Sequence, residues 1–489
     1  MDLRTLLAAA GLGDAVVEGE ADATCRVEAV TDDSRVVQPG TLFVAIRGRT
    51  HDGAAFLADV AIRGAVVAVI DAATAVPAGL PAVRVAEPRE AFGRLCQAWA
   101  GHPSRAMRTV GVTGTDGKTS TCWMLRTLLQ AGGLKVGLSS TVENDDGQSR
   151  VSADFTTPPA DRLAAQLDAM RRAGCDVAII ELSSQGLDQR RAAGVRLAAA
   201  GWTNFGRDHL DDHGCDDAYF AAKARIAGLL DAATPLVVGD DFPAERLHAW
   251  ANVERQPVEI KQATVSALSV PTGDCPAALR SQPFRRNAAV AVALARQLGV
   301  DDAAIERGLS RLTLPPGRLE RFAVATDATP TTVCVDYAHT PAALAAVVDA
   351  VRSERREESA GGRLVVVTGA GGDRDRAKRP LMGAAIAAAD RVVLTSDNPR
   401  SECPAAIAAQ IAEGLHATPH RFVADRRAAI AEAVADAGPG GFVLVAGKGH
   451  ETTQTMGDEA HPLSDRAIVA ALARHSASVL APRPAASSR

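Results

Sequence analysis

The stretch RTVGVTGTDGKTSTCWMLRTLLQAG, residues 108–132, constrains the fold more than any other part of the chain. It opens with a β-prone run, passes through Gly114 and Gly117, and enters a helix-forming run at Lys118. Strand, glycine turn and helix in that order aim backbone N–H groups and a helix N-terminus at one point, which suits an anion. The common phosphate-loop spacing, G-x-x-x-x-G-K-[ST], would require glycine where this chain has Val112. The chemistry survives the shift. Lys118 can reach β and γ phosphates, and the hydroxyl of Thr119 or Ser120 can ligate Mg2+. An ordinary glycine turn before a helix would leave the Lys-Thr pair at the helix start without a purpose.

The alternation continues along the chain. DVAIIEL, LAAAGWTNF and TPLVVG are strand-like and separated by helical periodicity, which favours a parallel sheet flanked by helices. At about 150 residues per domain, 489 residues suggest roughly three domains. The expected fold is therefore α/β in three units: a small N-terminal α/β unit over residues 1–104, a central P-loop-type parallel-sheet unit over 105–316, and a C-terminal Rossmann-like unit over 317–489. The first unit carries the runs TLFVAI and GAVVAVI and leaves through AGHPSRAM. LTLPPGRLERF, with paired prolines and a glycine, marks the second boundary, and TTVCVDYAH, RLVVVTGAGG, DRVVLTSDNPR and GFVLVAGKGHE build the third unit. The tail LAPRPAASSR is expected to be disordered.

Composition narrows the partners. A net charge of -5 gives no global positive field for nucleic acid or an anionic membrane, and 3% aromatic residues leave little for base stacking. Small molecules are the expected partners, and a monomer the expected state. Eight cysteines without a C-x-x-C pair suit free thiols in a reducing compartment, the cytoplasm being the simplest. No basic leader or long apolar run predicts export or membrane insertion.

Two further segments carry candidate chemistry. Glu181 closes the run DVAIIEL, at the edge of a parallel sheet where an acidic group can ligate a magnesium bridging to a γ-phosphate; the alternative is a solvated strand-end carboxylate. In TNFGRDHLDDHG the pair His209 and His213 has i,i+4 spacing and leaves zinc open, although no cysteine cluster or metalloprotease glutamate accompanies it.

The shifted loop G-x-T-G-T-[ND]-G-K-T, residues Gly114, Thr115, Asp116, Gly117, Lys118, Thr119 and Ser120 in its glycine turn and helix start, resembles that of the Mur ligase family, ATP-dependent enzymes that add amino acids to the peptidoglycan precursor. Asp116 stands where the family usually has Asn. The resemblance runs from TDDSRVVQPGTLFVAIRG to LSDRAIVA. It implies ATP and Mg2+ as cofactors, with Lys118, Glu181, His209 and Lys223 as catalytic residues. Thr119, Glu181 and His209 would hold metal together with Lys223 as a carbamate; by sequence alone Lys223 passes for a solvated helical lysine. Carbamate formation requires an uncharged amine, hence burial or a lowered pKa. Asn287, Arg318 and Asp336 match positions that contact the nucleotide, Asp336 through the ribose.

Within the family the chain is most similar to the diaminopimelate-adding branch. Ser34 in DDSR, supported by the HDG loop from His51, matches the uridine diphosphate contact. Thr156, Thr157, Ser183, Gln189 and Arg191 match positions that hold the muramoyl dipeptide of UDP-N-acetylmuramoyl-L-alanyl-D-glutamate. The usual SSHG is SSQG here, so Gln185 replaces an imidazole with an uncharged amide. SDNPR brings Asp397, Asn398, Pro399 and Arg400, where the resemblance implies that the arginine grips the distal carboxylate of meso-diaminopimelate; composition alone reads the segment as a turn. An arginine fork matches a carboxylate in bidentate fashion, and lysine lacks that group. Arg374, Gly447 and Glu451 complete the matched pocket, with Glu451 suited to the distal ammonium. A folylpolyglutamate synthetase and a P-loop switch that ligates nothing remain as alternatives. DNPR and the uridine-binding first unit speak against the former, and amino-acid-dependent phosphate release would discriminate against the latter.

Overall fold

A computed structural model describes residues 1–19, 25–48, 51–231, 234–268, 279, 281–325, 329–357 and 361–480. The tail from residue 481, expected to be disordered, and Cys275 lie outside the described residues. Three α/β units follow one another. In the first, β1 (Val16–Glu18), β2 (Ala29–Thr31), β3 (Thr41–Val44), β4 (Val67–Ile70) and β5 (Ala82–Arg84) lie in the order β1-β5-β4-β3-β2, parallel except at β1.

The central sheet contains β6 (Arg108–Thr113), β7 (Val136–Ser139), β8 (Glu143–Asp145), β9 (Arg150–Ser152), β10 (Val177–Glu181), β11 (Ala199–Trp202), β12 (Leu236–Val238) and β13 (Ile260–Gln262). Its order is β13-β12-β11-β6-β10-β7-β8-β9, parallel as far as β7 and antiparallel at the β8-β9 edge. The third sheet takes β14 (Glu320–Val324), β15 (Thr331–Asp336), β16 (Leu364–Thr368), β17 (Arg391–Leu394), β18 (His420–Phe422) and β19 (Phe442–Ala446) in the order β14-β15-β19-β16-β17-β18, parallel except at β14. A hairpin of β20 (Thr453–Met456) and β21 (Glu459–Pro462) follows.

The strands expected from apolar runs are present because they are buried on both faces: β10, β16 and β19 are buried along their whole lengths. The strands β8 and β9, in ENDDGQSRVS, show no such run, so the parallel sheet expected for the central unit carries an antiparallel extension that ends at β9. Polar strands satisfy their backbone groups at a sheet edge without an apolar signature.

The N-terminal unit packs on the central one through the helices Pro88–Trp99 and Ala160–Arg172, and Ala160 and Ala164 join its apolar cluster. A second cluster is continuous from Val110 and Leu125 through Leu312 and Leu319 to Val348 and Leu444, so the central and C-terminal units share a core. The link between them is tight. Gly317 has φ 69°, and a Cβ there would stand 2.3 Å from the Gly449 carbonyl carbon and the His450 nitrogen. No helix among the described residues is long and apolar enough to cross a membrane.

Replacing Gly317 with alanine is therefore expected to lower stability by about 1–3 kcal/mol through strain and backbone displacement. Urea unfolding checks this, and an unchanged midpoint would contradict it.

Candidate active site

The loop after β6 is a narrow cradle. Gly114 and Gly117 have φ 149° and 80°, and Cβ atoms there would lie 1.9 Å from Thr203 Oγ1 and 2.2 Å from Asn287 Oδ1. Only glycine fits at either position, and the loop leads directly into the N-terminus of the helix Lys118–Ala131. The same contact places Asn287 directly on the loop. Asn204 clamps it from the end of β11: its Oδ1 accepts from Asp116 N at 2.9 Å, and its Nδ2 donates to Asp116 O at 3.1 Å. Thr203 Oγ1 donates to the same carbonyl at 2.6 Å, and Tyr219 OH donates to Thr115 Oγ1 at 3.1 Å. Lys118 Nζ donates to Gly114 O and Thr115 O at 3.0 and 2.9 Å, at the rim of the cradle, while Thr119 and Ser120 are buried behind it.

Lys223 is buried beneath this loop, not solvated, with Nζ donating to Gly114 O at 2.6 Å. Burial, reinforced by the Lys118 charge, holds its amine well below the ordinary lysine value. Glu181 closes β10 and is also buried. Its Oε2 accepts from Thr141 N and, at 2.6 Å, from Thr141 Oγ1, while its Oε1 is buried without a partner. An orphaned carboxylate oxygen beside a phosphate cradle fits a hard divalent cation such as Mg2+.

Around Glu181 lie the residues matched to the muramoyl dipeptide. Thr156 Oγ1 accepts from Thr141 Oγ1 at 3.1 Å, and Thr157 Oγ1 donates to Glu181 O at 2.8 Å and accepts from Ser183 N at 2.9 Å. Arg191 donates to Thr157 O at 2.6 Å and to Gln189 Oε1 at 3.0 and 2.7 Å. These five form one network. Ser34 stands apart, opening a 3-10 turn after β2 in the N-terminal unit. Gln185 bonds Asp212, and His213 Nε2 lies 3.0 Å from Ser184 Oγ. His209 and His213 thus have separate partners, and no cluster of three or more His, Cys, Asp or Glu groups suited to a metal occurs among the described residues.

His209 has φ 53° and lies in a segment that reaches across to the C-terminal unit. Its Nε2 is 3.3 Å from Asp208 Oδ2, whose carboxylate also meets Lys378 Nζ at 3.2 Å and His339 Nε2 at 3.6 Å. Arg207 pairs with Asp375 at 3.2 Å and Asp211 with Arg374 at 2.8 Å. Asp116 joins the same boundary, accepting from Thr340 Oγ1 at 3.1 Å. Burial pushes the Asp208 carboxyl up, but the hydrogen bond and charge of His339, with His209 and Lys378, hold it well below the carboxylate range. Burial likewise opposes charge on His339, and the bond to Asp208 overcomes it, raising its pKa.

Arg318 stacks on Tyr337, 4.4 Å from the ring centroid. Asp336, the residue matched to the ribose, accepts from Leu319 N and Ala338 N, both at 2.7 Å, fastening the interdomain link to β15. Burial of its carboxyl raises its pKa, against the nearby Arg318 charge.

The C-terminal pocket lies where the loops after β16, β17 and β19 meet. Arg400, at φ 51°, donates Nη1 to Gly372 O at 2.7 Å and makes no ion pair among the described residues; a Cβ on Gly371 would lie 3.0 Å from that Nη1 and 3.6 Å from Arg374 Cγ. A Cβ on Gly447 would stand 2.6 Å from Asp397 Oδ2, so this glycine admits the buried carboxylate. Pro399 closes on Gly372, and Asn398 Nδ2 donates to Glu451 Oε2 at 3.1 Å. Beneath the loops, Arg426 pairs with Asp465 at 2.7 Å, both fully buried, and donates to Ser396 O and Ala446 O.

Comparison with known proteins places this geometry. The profile of the Mur ligase family, catalytic domain, matches residues 26–99, that of the Mur ligase middle domain 112–267, and that of the Mur ligase, glutamate ligase domain 317–449. The chain belongs to the Mur ligase family. It is 39% identical, over 90% of its length and 93% of the relative's, to the UDP-N-acetylmuramoyl-L-alanyl-D-glutamate–2,6-diaminopimelate ligase of Alkalilimnicola ehrlichii, and 40% identical over the same shares to that of Parasynechococcus marenigrum. A solved structure of a ligase with that name superposes with a TM-score of 0.62 at 26% identity, covering 98% of this chain and 99% of the other. The MurF ligase of Thermotoga maritima in complex with ADP shares the fold, with a TM-score of 0.55 at 17% identity over 92% and 97% of the two chains.

Several residues of this candidate site carry little signal in the sequence. Thr141, Asn204 and Lys378 act through partners far along the chain. Asp208 and His339 stand next to or within quoted motifs, and their reciprocal contact is a product of the fold alone.

The raised His339 pKa sets a direction for the interdomain contact. Its stabilisation is fully present below about 6.5, the ordinary histidine value, and is lost as pH rises through the raised folded value. Calorimetry of wild type and His339→Gln should show a stability difference that shrinks over that rise; a constant difference would contradict it.

Proposed function

We infer that this Mur ligase adds meso-2,6-diaminopimelate to the D-glutamate of UDP-N-acetylmuramoyl-L-alanyl-D-glutamate, with ATP as the phosphoryl donor, as a monomer in the cytoplasm. The observation that carries the acceptor is Arg400, a guanidinium without an ion pair among the described residues, set around Gly371 beside Arg374, across the Asp208 bridge from the phosphate cradle.

A carboxylate is a poor electrophile, and phosphorylation supplies a leaving group. The γ-phosphoryl group passes from ATP to the D-glutamate carboxylate oxygen. The amine lone pair of the amino acid attacks the acyl carbon, and phosphate departs with the C–O bonding pair as the nitrogen loses its proton. The glycine cradle and Lys118 serve the phosphates, the Thr156–Arg191 network the dipeptide, and Arg400 the distal carboxylate. Mg2+ would be held by Thr119, Glu181, His209 and carbamylated Lys223, and would offset the charge of two anions brought together. The burial of Lys223, which lowers the pKa of its amine, supports that last assignment.

Phosphate release with mass detection of the product tests the reading: turnover should occur with meso-diaminopimelate and not with L-lysine or without amino acid. Equal release without any acceptor would contradict it. Lys118→Ala should abolish product while leaving the thermal transition in place, and substantial residual ligation would remove its role. Arg400→Ala should cost about 2 to 4 kcal/mol, or about 30- to 700-fold in kcat/KM for diaminopimelate. A loss below about threefold would detach Arg400 from the substrate carboxylate.

A further inference from the structure

Lys448 has no part in the chemistry above, yet it is fully buried at the foot of the acceptor pocket. Its ammonium donates to Asn398 Oδ1 at 3.0 Å and to Glu451 Oε2 at 2.7 Å, and Asn398 Nδ2 closes the triangle on that same glutamate oxygen. Asn398 comes from the loop after β17, and Lys448 and Glu451 from the loop after β19. The backbone there is held without the ammonium, since Gly447 N donates to Asp336 O at 3.1 Å and Glu451 N to Lys448 O at 2.9 Å. Burying an ammonium is costly, and an apolar side chain of the same length would pack there without that penalty.

The cation changes what the pocket can accept. Glu451, the carboxylate suited to the distal ammonium of the amino acid, already has one oxygen committed to Lys448. Lys448 neutralises Glu451, and Arg374 is paired with Asp211 at 2.8 Å and Asp212 at 3.7 Å, so the excess positive charge in the pocket is that of Arg400, which makes no ion pair among the described residues. A side chain ending in an ammonium alone adds a second like charge to a partly desolvated site. One ending in both an ammonium and a carboxylate adds none, and sets its carboxylate against the excess.

We propose that Lys448 is a specificity-determining residue: its buried ammonium, fixed on Asn398 and Glu451, admits an amino acid whose side chain ends as a zwitterion and refuses one ending in a bare ammonium. Arg400 supplies attraction for the right acceptor, and Lys448 supplies repulsion against the wrong one. The inference rests on the diaminopimelate reading.

The test measures kcat/KM for meso-diaminopimelate and for L-lysine in the full chain, at saturating MgATP and UDP-dipeptide, for wild type, Lys448→Met, Lys448→Gln and Lys448→Arg. In the two neutral variants lysine should improve while diaminopimelate declines, so that their ratio falls by about tenfold or more. Lys448→Arg should keep the ratio, and KM for ATP and for the UDP-dipeptide should stay at wild-type values in all three. A common loss for both acceptors, with the ratio unchanged, would make Lys448 structural and overturn the proposal. Failure of both neutral variants to fold would do the same. Wild type that uses neither acceptor, or both equally, would overturn the diaminopimelate reading and this proposal with it; wild type that discriminates, with variants that keep its ratio, would overturn this proposal alone.

Discussion

The Asp208 carboxylate, buried between two units and shared by His209, His339 and Lys378, is the contact on which the rest of the site depends. One unit carries the glycine cradle and the other the loops around Arg400, and on the proposed function neither can join a carboxylate to an amine alone. The segment 207–212 makes them one site. Arg207, Asp208 and Asp211 all bond the C-terminal unit, while the His209 ring between them lies 6.0 Å from that of Tyr219, whose hydroxyl bonds Thr115 of the nucleotide loop. A buried carboxylate stripped of these partners would be strongly unfavourable, so the contact either forms fully or opens to water. That gives the contact between the two units an electrostatic basis and ties it to a candidate metal ligand.

The shared apolar core and the charged bridge have different roles. The core running from Leu125 to Val348 holds the two units together on one side, and burial there is non-directional. The charged contacts at the mouth are directional, and they decide how the two loop clusters face one another. In the C-terminal unit the Arg426–Asp465 pair repeats this division beneath the pocket, anchoring the loops after β17 and β19 through their carbonyls. The loops that carry Asn398, Arg400 and Glu451 are thus backed by a buried, bonded ion pair.

Much of this was legible in the sequence where the signal is local. The β6 loop and its helix, and the strands β10, β16 and β19, follow from apolar runs punctuated by glycine. Lys118, Thr157, Ser183 and Arg400 stand in motifs whose spacing is short enough to read. The polar strands β8 and β9 were not legible, because an edge needs no apolar run. Nor was the commitment of Asp336 to two backbone amides, or the meeting of Asp208 with His339, since these depend on how two sheets are set together. The solvated appearance of Lys223 shows the same limit: its helix is not strongly amphipathic by sequence, and only tertiary burial lowers the pKa of its amine.

The central claim is that both halves of the site act on one carboxylate, which the cradle activates by phosphorylation and the acceptor pocket supplies with an amine. Isotope transfer tests it most directly. With the D-glutamate γ-carboxylate of the UDP-dipeptide labelled with oxygen-18, one turnover in unlabelled water with MgATP and meso-diaminopimelate should deliver one labelled oxygen to the released inorganic phosphate. Phosphate released with no label, alongside amide product, would contradict an acyl-phosphate route and with it this account of why the two units must meet.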